Sequence, residues 1–331
     1  MIKSLLLISP KTYNYHQVLF EACDQAGINY VWFDERPLSS SLFKFFSRKL
    51  NKLSRRLSVR HYLSRLQKLR SSGFFPSHIL VIKGESIHVS VVAYMRSAFP
   101  EAKFILYFWD STNNLPGYKK LSSLFDFVAS FDSADCKLNG WSYYPLFCGN
   151  PAMPRNSCTP SKEKYLYDWS FVGAVHSDRL LILDKLIQNL PANNSFYAYV
   201  YFPSLLHSLY CLILSPLQFI RLRQYFYSHP LSPCQLSAVY GQSRCVLDIH
   251  HPAQTGLTMR TIESVVSGVK LATTNDSVTE DLFYDNTRIC IVDRRNPAIL
   301  PEFLGVNFKP LPASVSNSFR PVSWLHGLLN H

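Results

Sequence analysis

The segment that decides the fold spans residues 244–270 and reads RCVLDIHHPAQTGLTMRTIESVVSGVK. Its apolar beginning predicts a β-strand, its glycine-containing middle predicts a loop, and its end predicts a helix followed by a second strand. Thr258 is suited to cap the N-terminus of this helix, and Gly268 is suited to the position just after its C-terminus. The predicted buried face of the helix consists of Ile262, Val265, Val266 and Val269.

A helix that begins behind a glycine-containing loop offers free backbone N–H groups and a positive dipole end to a phosphate group. Arg260 is suited to add a charge-assisted contact to such an anion. Glu263, about one turn further along, is suited to accept hydrogen bonds from two vicinal ribose hydroxyls. Residue chemistry alone gives equal weight to an alternative, in which Arg260 and Glu263 form a surface ion pair contributing a few tenths of a kcal/mol.

The pattern around this segment predicts an α/β protein. Apolar or β-branched runs alternate with helical stretches, which is typical of parallel, doubly wound sheets. The predicted strands are residues 4–8, 30–33, 79–83, 104–108 and 127–131, then 169–172, 196–201, 244–249, 270–273 and 289–292. A proline-rich stretch over residues 148–164 is the best predicted linker.

The length of 331 residues fits two domains, which we predict at residues 1–155 and 156–331. We expect two Rossmann-like doubly wound domains that face a cleft, because ligands of such folds bind at the carboxyl ends of the strands.

Composition and charge narrow the class of protein. The chain is 47% apolar and only 17% charged, which excludes a disordered protein, and its net charge of +12 indicates an anionic partner. Ten of its basic residues and no acidic residue lie within residues 41–72, so the rest of the chain carries only 12 − 10 = +2. Leucines recur there at helical spacing, which predicts one or two amphipathic helices. Two interpretations carry equal weight: an interfacial helix on anionic lipid, or a helix that packs its leucines on its own domain.

The sequence predicts neither a signal peptide nor a membrane-spanning helix. The apolar run near the N-terminus ends at Ser9-Pro10, too early for a signal peptide. The apolar stretch 196–220 is interrupted by Pro203, His207 and Pro216, which favours a buried or interfacial hairpin of helices over a membrane span. The eight cysteines include no C-x-x-C pair, so we expect no structural metal site. We therefore expect a cytoplasmic protein, with peripheral attachment to the inner face of the membrane through residues 41–72 as an option.

The segment resembles the donor-binding part of GT-B glycosyltransferases, especially the CgeB-like (spore maturation) proteins and those of capsule and lipopolysaccharide biosynthesis. The resemblance extends over about residues 80–295 and is weak over residues 1–75. The matching residues are Gln254-Thr-Gly256-Leu257-Thr258-Met-Arg260-Thr-Ile-Glu263, Gly268-Val-Lys270-Leu271-Ala-Thr273-Thr-Asn275, Trp109-Asp110-Ser111, and Asp168-Trp-Ser-Phe171-Val172-Gly173 with His176 and Asp178-Arg179.

The resemblance implies a GT-B fold and a hexosyltransferase-type activity. The sugar would pass from a nucleotide-sugar donor to a saccharide or lipid-linked acceptor in bacterial surface polysaccharide biosynthesis. It implies that Arg260 and the N–H groups around residues 256–258 bind the diphosphate and that Glu263 binds the ribose. The implied donor-binding residues are Gly173, His176, Arg179, His250, Gln254, Gly256, Leu257, Thr258, Arg260, Thr261 and Glu263.

One position departs from the family's pattern. Retaining members carry two glutamates separated by seven residues, but Thr255 stands where the first of them would precede Glu263. The identity of the sugar and the stereochemical course therefore stay open. Gly173 is expected to end a strand, where its lack of a Cβ atom would let backbone approach the phosphates.

A catalytic base is needed only if the reaction inverts the anomeric centre. We expect Asp110, just past a strand end, to be this base, with Glu85 second and His16 third; an Asp before Ser-Thr-Asn is also typical of a turn or cap. The sequence has no Asp-x-Asp triplet, so we expect fixed dipoles and Arg260 to stabilise the leaving diphosphate without a metal or other cofactor.

Two other function classes remain open at this point. The missing first glutamate is consistent with a non-catalytic nucleotide-sugar-binding protein on the same scaffold. The basic run also contains Phe43, Phe45, Phe46 and Tyr62, but it contains no recognisable nucleic-acid-binding module, so we expect no nucleic-acid partner.

Overall fold

The computed structural model describes residues 4–12, 14–36, 51–115, 117–149, 165–191, 193–202 and 204–331, without the side chains of residues 51–54 and 114. The chain divides into two compact units, the first Met1–Leu146 with Arg320–His331 and the second Phe147–Phe319. Most of the predicted linker, residues 150–164, lies outside the described residues together with the predicted boundary at residue 155.

The first unit is built on a six-stranded parallel sheet with the order β2-β1-β3-β4-β5-β6. All five strands predicted for this half are confirmed, and a two-residue edge strand is added. The strands are β1 (Ser4–Ser9), β2 (Asn29–Asp34), β3 (His78–Ile82), β4 (Lys103–Phe108), β5 (Phe127–Ser130) and β6 (Ser142–Tyr143). The helices are α1 (Tyr15–Gln25), α2 (Asn51–Ser71), α3 (Val89–Ala98), α4 (Tyr118–Ser122) and α5 (Ser133–Asn139). Strands β1, β3 and β4 are apolar almost throughout because helices cover both faces of the sheet.

Helix α2 contains most of the basic segment predicted from the sequence. Its side chains Tyr62, Leu66 and Leu69 are buried in the core of the first unit. Exposed basic side chains occupy other positions of the helix, namely Arg55, Arg56, Arg60, Lys68 and Arg70. The described part of the segment therefore follows the second interpretation, a helix packed on its own domain. Residues 41–50, which complete the predicted membrane contact, lie outside the described residues.

The second unit contains another six-stranded parallel sheet, with the order β12-β11-β10-β7-β8-β9. Counted from β7, this is the 3-2-1-4-5-6 order of Rossmann folds, so the strand order reverses between β7 and β10. All five predicted strands are confirmed. The strands are β7 (Tyr167–Ala174), β8 (Phe196–Tyr201), β9 (Phe226–Tyr227), β10 (Ser243–Asp248), β11 (Lys270–Thr273) and β12 (Ile289–Ile291).

Helices surround this second sheet. They are α6 (Arg179–Gln188), α7 (Leu205–Leu214), α8 (Pro216–Leu222), α9 (Pro233–Gln242), α10 (Met259–Val266), α11 (Pro301–Gly305) and α12 (Ala313–Ser318). The predicted helical hairpin is formed by α7 and α8, and Pro216 is the first residue of α8. No helix among the described residues is both long and apolar enough to cross a membrane.

The last helix of the chain, α13 (Pro321–Leu329), returns to the first unit. Trp324 is 1% exposed, and its indole Nε1 donates to the carbonyl oxygen of Pro145 at 2.7 Å. Its ring lies edge-on to Tyr107, with ring centroids 5.0 Å apart. Assignment of all of residues 156–331 to one domain is therefore corrected, because this helix completes the core of the other unit.

We predict that Trp324→Ala destabilises the first unit by about 3–5 kcal/mol, because it removes a large buried ring and leaves a cavity. Urea unfolding monitored by far-UV circular dichroism measures this change. The control is Leu138→Ala, in the same unit and 73% exposed, which should change stability by less than about 0.5 kcal/mol. A Trp324→Ala protein as stable as this control would contradict the packing of α13.

Candidate functional site

The carboxyl ends of β7 and β10 form the edge where the strand order of the second unit reverses. Arg179 lies there, 7% exposed. Its Nε donates to the carbonyl oxygen of Ile249 at 2.7 Å, and its Nη1 donates to that of Ala174 at 2.7 Å. One guanidinium therefore binds the ends of both strands.

Asp248, the last residue of β10, is fully buried and organises the start of α10. Its carboxylate accepts from Thr258 Oγ1 at 2.8 Å and Thr261 Oγ1 at 3.1 Å, and it forms an ion pair with Arg260. Burial alone would raise the pKa of Asp248, but Arg260 and Arg179 outweigh it and hold this pKa below its usual value. Sequence reasoning gave this residue no role, because its partners are 10 to 13 residues further along the chain.

The ion pair with Asp248 fixes Arg260, whose side chain is only 15% exposed. Its Nη2 also donates to the carbonyl oxygen of Val172 at 2.6 Å. Glu263 is 3% exposed. The alternative of a surface ion pair between Arg260 and Glu263 is therefore wrong. Thr258 caps α10 as predicted, accepting from the backbone N–H of Thr261.

Gly173 lies where the two guanidinium groups converge. An added Cβ atom would lie 3.0 Å from Arg260 Nη2, 3.1 Å from Phe171 Cζ and 3.4 Å from Arg179 Nη1. The structure therefore gives a reason for glycine that differs from the predicted one: the atoms that need the space belong to this unit's own side chains.

The loop before α10 is held by backbone contacts. The side-chain Nδ2 of Asn275 donates to the carbonyl oxygens of Thr255 at 3.0 Å and Gly256 at 3.2 Å. The backbone N–H of Gln254 donates to His251 O at 3.1 Å, closing a turn. Leu257 is 3% exposed and anchors the loop in the core. This arrangement presents the start of α10 in one conformation.

Two histidines of the predicted site lie beside arginines, His250 buried and His176 half-buried. His250 bonds through Nδ1 to Thr274 Oγ1 at 2.9 Å, and Arg294 donates to its carbonyl oxygen at 2.6 Å. Burial and Arg294 lower the pKa of His250 to about 4. Burial and Arg179 lower the pKa of His176 to about 3. Both imidazoles are therefore neutral at physiological pH, and the positive charge of this edge comes from its arginines.

Arg294 was missed as part of this edge, and Asp178, although among the residues that carry the resemblance, was given no role there. The Nη1 of Arg294 donates to both carboxylate oxygens of Asp178 at 2.8 Å, across 116 residues of sequence. No local pattern indicates such a pair.

The elements that follow three neighbouring strands begin at this edge: α6 after β7, α10 after β10, and a 3₁₀ turn (Asp276–Glu280) after β11. The first N–H groups of a helix lack intrahelical partners, and its dipole is positive there. With Arg179 and Arg260 in place, this edge is suited to bind an anion of the size of a diphosphate.

In the first unit, the structure brings together two of the three residues predicted as a base. Lys83 Nζ lies 3.0 Å from Glu85 Oε2 and 3.2 Å from Asp110 Oδ2. Lys83 has a φ of +75°, an uncommon conformation for a residue with a side chain, directly after β3. Burial would raise the pKa of Glu85, but Lys83 and Arg36 hold it below its usual value, which makes this carboxylate a weak base.

The carboxylate of Asp110 is also held by the backbone of the next residue. Its Oδ1 accepts from the backbone N–H of Ser111 at 3.0 Å, and its side chain is 26% exposed. This carboxylate therefore has a defined orientation at the end of β4 and retains access to solvent.

His16 has different surroundings. Its side chain is 5% exposed, stacked on Trp32 and edge-on to Phe20 with ring centroids 5.6 Å away in each case. Burial, helped by Lys11, lowers the pKa of His16. The structure thus places this residue within an aromatic cluster, where it packs α1 against β2.

Glu35, which sequence reasoning missed, is fully buried directly after β2. Its Oε1 accepts from the backbone N–H of Ser86 at 2.5 Å, whereas its Oε2 has no hydrogen-bond partner among the described residues. Burial raises the pKa of Glu35 to about 8. The side chain is therefore a neutral carboxylic acid at neutral pH, next to the Lys83–Glu85 loop.

Solved structures were compared with this arrangement of two parallel six-stranded sheets. HepE from Anabaena in complex with UDP-glucose is similar to this chain with a TM-score of 0.58 at 12% identity. The match covers 100% of this chain and 99% of the HepE chain. The apo form of OtsA gives 0.57 at 10% identity, over 99% and 95% of the two chains. A glycosyltransferase from Rickettsia africae gives 0.54 at 11% identity, over 99% and 94%.

The chain has a GT-B fold. The predicted α/β class, with two doubly wound parallel sheets, is thereby confirmed for the described residues. No protein-family model matches the sequence, and no curated protein matches it. At these low identities the likeness shows the GT-B fold alone, and the CgeB-like subfamily stays a prediction.

Glu35 predicts a specific pH dependence of stability. The folded protein keeps its proton up to about pH 8, whereas an unfolded chain releases it near about pH 4.3. The contribution of the Glu35 proton to the free energy of unfolding is therefore complete below about pH 4.3. It falls by about 1.4 kcal/mol per pH unit until about pH 8. Urea unfolding of the first unit at several pH values measures this slope.

Glu35→Gln should remove that component of the slope, because the amide does not titrate. Glu101→Gln, at an exposed position of the same unit, is the matched control and should keep it. Identical pH profiles for all three proteins would contradict a buried neutral Glu35.

Proposed function

We propose that this protein is a glycosyltransferase that moves a sugar from a nucleotide-sugar donor to a saccharide or lipid-linked acceptor. The observation that carries the proposal is the anion-binding edge of the second unit, where three helical segments begin beside Arg179 and Arg260. Such an edge at a switch point of strand order is where α/β folds bind nucleotides. The GT-B fold adds support, because the solved structures that share it include a UDP-glucose complex of HepE.

The donor is proposed to bind this edge through its nucleoside diphosphate. Backbone N–H groups around residues 256–258 receive the diphosphate, and Asn275 keeps that loop in position. Arg260 adds positive charge and, through Asp248, fixes the start of α10. Glu263 is proposed to bind the ribose. Fixed dipoles and guanidinium groups then stabilise the charge on the leaving diphosphate without a metal.

The acceptor hydroxyl is proposed to lose its proton to Asp110 if the reaction inverts. Of the three residues predicted as a base, Asp110 combines a fixed carboxylate with access to solvent. The lowered pKa of Glu85 and the aromatic surroundings of His16 make them less suitable. A retaining reaction would not require this proton transfer, and Thr255 leaves that course open.

The acceptor is proposed to belong to bacterial surface polysaccharide, as in capsule or lipopolysaccharide. The support is the resemblance of residues 254–275 to the CgeB-like proteins. A cytoplasmic site of action follows, since nucleotide sugars are the donors.

A second candidate is a non-catalytic nucleotide-sugar-binding protein. Thr255 favours it, because the first glutamate of the retaining pattern is missing. Binding of UDP with neither transfer nor hydrolysis of any donor sugar would support this candidate over the enzyme.

We predict that Gly173→Ala weakens UDP binding about tenfold, because the added methyl group would lie 3.0 Å from Arg260 Nη2 and shift this guanidinium by a few tenths of an ångström. Isothermal titration with UDP measures the affinity, and the melting temperature shows whether the variant folds. Gly241→Ala in α9 is the matched control, since a Cβ atom there meets no described atom within 4 Å. Equal UDP affinity in both variants would contradict the proposed donor site.

For the reaction, we predict that Asp110→Asn lowers transfer at least about a hundredfold while UDP affinity stays unchanged, because the amide accepts no proton. Product formation from a panel of UDP-sugars measures this effect. Asp24→Asn, exposed in the same unit, is the control and should transfer normally. Full turnover by Asp110→Asn would exclude it as the base.

A further inference from the structure

Helices α7 and α8 expose a continuous set of apolar side chains. These side chains are between 54% and 88% exposed, and we call them the hairpin surface: Leu205, Leu206, Leu209, Tyr210, Ile213, Leu214, Leu217 and Ile220. On α7 they recur at spacings of one and four residues, which places them on one face of the helix. An apolar patch of this kind on a folded protein marks an interaction site.

The opposite side of the hairpin is anchored in the core of the second unit. Cys211 and Leu222 are buried there, and Phe219 packs against them. His207 Nε2 lies 3.1 Å from the carbonyl oxygen of Val175. Because these contacts fix the rotation of both helices, the exposed face is a built feature of the fold.

The two hairpin helices contain no Asp or Glu, and arginines lie at the end of the second. Between Asp184 and Asp248 the sequence contains no Asp or Glu, although it contains Lys185, Arg221, Arg223 and Arg244. Arg221 forms an ion pair with Asp184 at 3.2 Å, and Arg223 is exposed at the end of α8. An apolar face with an exposed arginine at its end is the pattern of helices that lie on anionic lipid.

We propose that the hairpin surface lies on an anionic lipid bilayer. Its leucine and isoleucine side chains enter the boundary between headgroups and acyl chains, and Arg223 stays at the level of the lipid phosphates. The helices have 10 and 7 residues and a transmembrane helix needs about 20, so the hairpin lies in the interface. A second copy fits this surface less well, because the hairpin helices contain no acidic residue that could pair with Arg223 of the other copy.

This proposal assigns the membrane contact to residues that differ from those predicted from the sequence. The leucines of α2 serve the core of the first unit, whereas those of α7 face outward. It is also independent of sugar transfer, because vesicle binding does not require the donor or the acceptor.

Flotation with vesicles of equal parts phosphatidylglycerol and phosphatidylcholine tests the proposal on the full chain. Wild type should float, and Leu206→Glu/Ile213→Glu should lose at least about tenfold in partitioning, because two exposed apolar side chains become charged. Leu282→Glu is the matched control, 94% exposed in the same unit and outside the hairpin, and should float like wild type. All substituted side chains are exposed, and equal melting temperatures confirm that the variants fold.

A further variant, Arg56→Gln/Arg60→Gln in α2, separates the two membrane hypotheses. It should float like wild type if the hairpin surface makes the contact. The proposal is overturned if wild type does not float, if the hairpin variant floats like wild type, or if only the α2 variant loses binding. Wild-type dimers that the hairpin variant abolishes, without any vesicle binding, would overturn it in favour of a second copy of the chain.

Discussion

The buried carboxylate of Asp248 is the constraint on which the second unit depends. A charge without solvent is costly unless it is paired and hydrogen-bonded, and loss of one partner from such a pair costs about 3–5 kcal/mol. Arg260, Thr258 and Thr261 all come from the start of α10, so satisfying Asp248 fixes that helix against β10. The same guanidinium reaches Val172, and a Cβ atom at residue 173 would lie only 3.0 Å from its Nη2. The proposed diphosphate site is thus a consequence of satisfying one buried charge.

Glu35 in the first unit shows the opposite outcome of the same burial. Both carboxyl groups are fully buried. Asp248 has a guanidinium in contact and stays ionised, whereas Arg36 Nε lies 4.0 Å from Glu35 Oε2, and burial raises the pKa of Glu35 to about 8. Close guanidinium groups and hydroxyl donors therefore separate a charged anchor from a neutral acid.

The strands and the cap of α10 could be predicted from the sequence because the signals are local. Runs such as residues 104–108 are apolar on both faces of a covered sheet, and Thr258 precedes an amphipathic turn. The partners of Arg260 and Arg294 could not be predicted, since each pair forms across strand ends that only the folded sheet brings together. The two-residue strands β6 and β9 are too short to show a period. The return of α13 depends on a cavity that β4 and the residues after β6 form around Trp324.

Charge and apolar patterning predicted a membrane contact in residues 41–72, whereas the contact proposed from the structure is the hairpin surface. In α2 most of the described basic side chains are exposed, yet Tyr62, Leu66 and Leu69 are buried in the core, so the helix offers little beyond electrostatic attraction. At physiological salt, such attraction is largely screened beyond about 8–10 Å. In α7 and α8 the charges are few, but the apolar side chains are exposed. The free energy gained by transferring these side chains out of water is not screened by salt. A helix that exposes only its charges would be held at a lipid surface by electrostatic attraction alone. A helix that also exposes its leucines gains the free energy of burying apolar side chains.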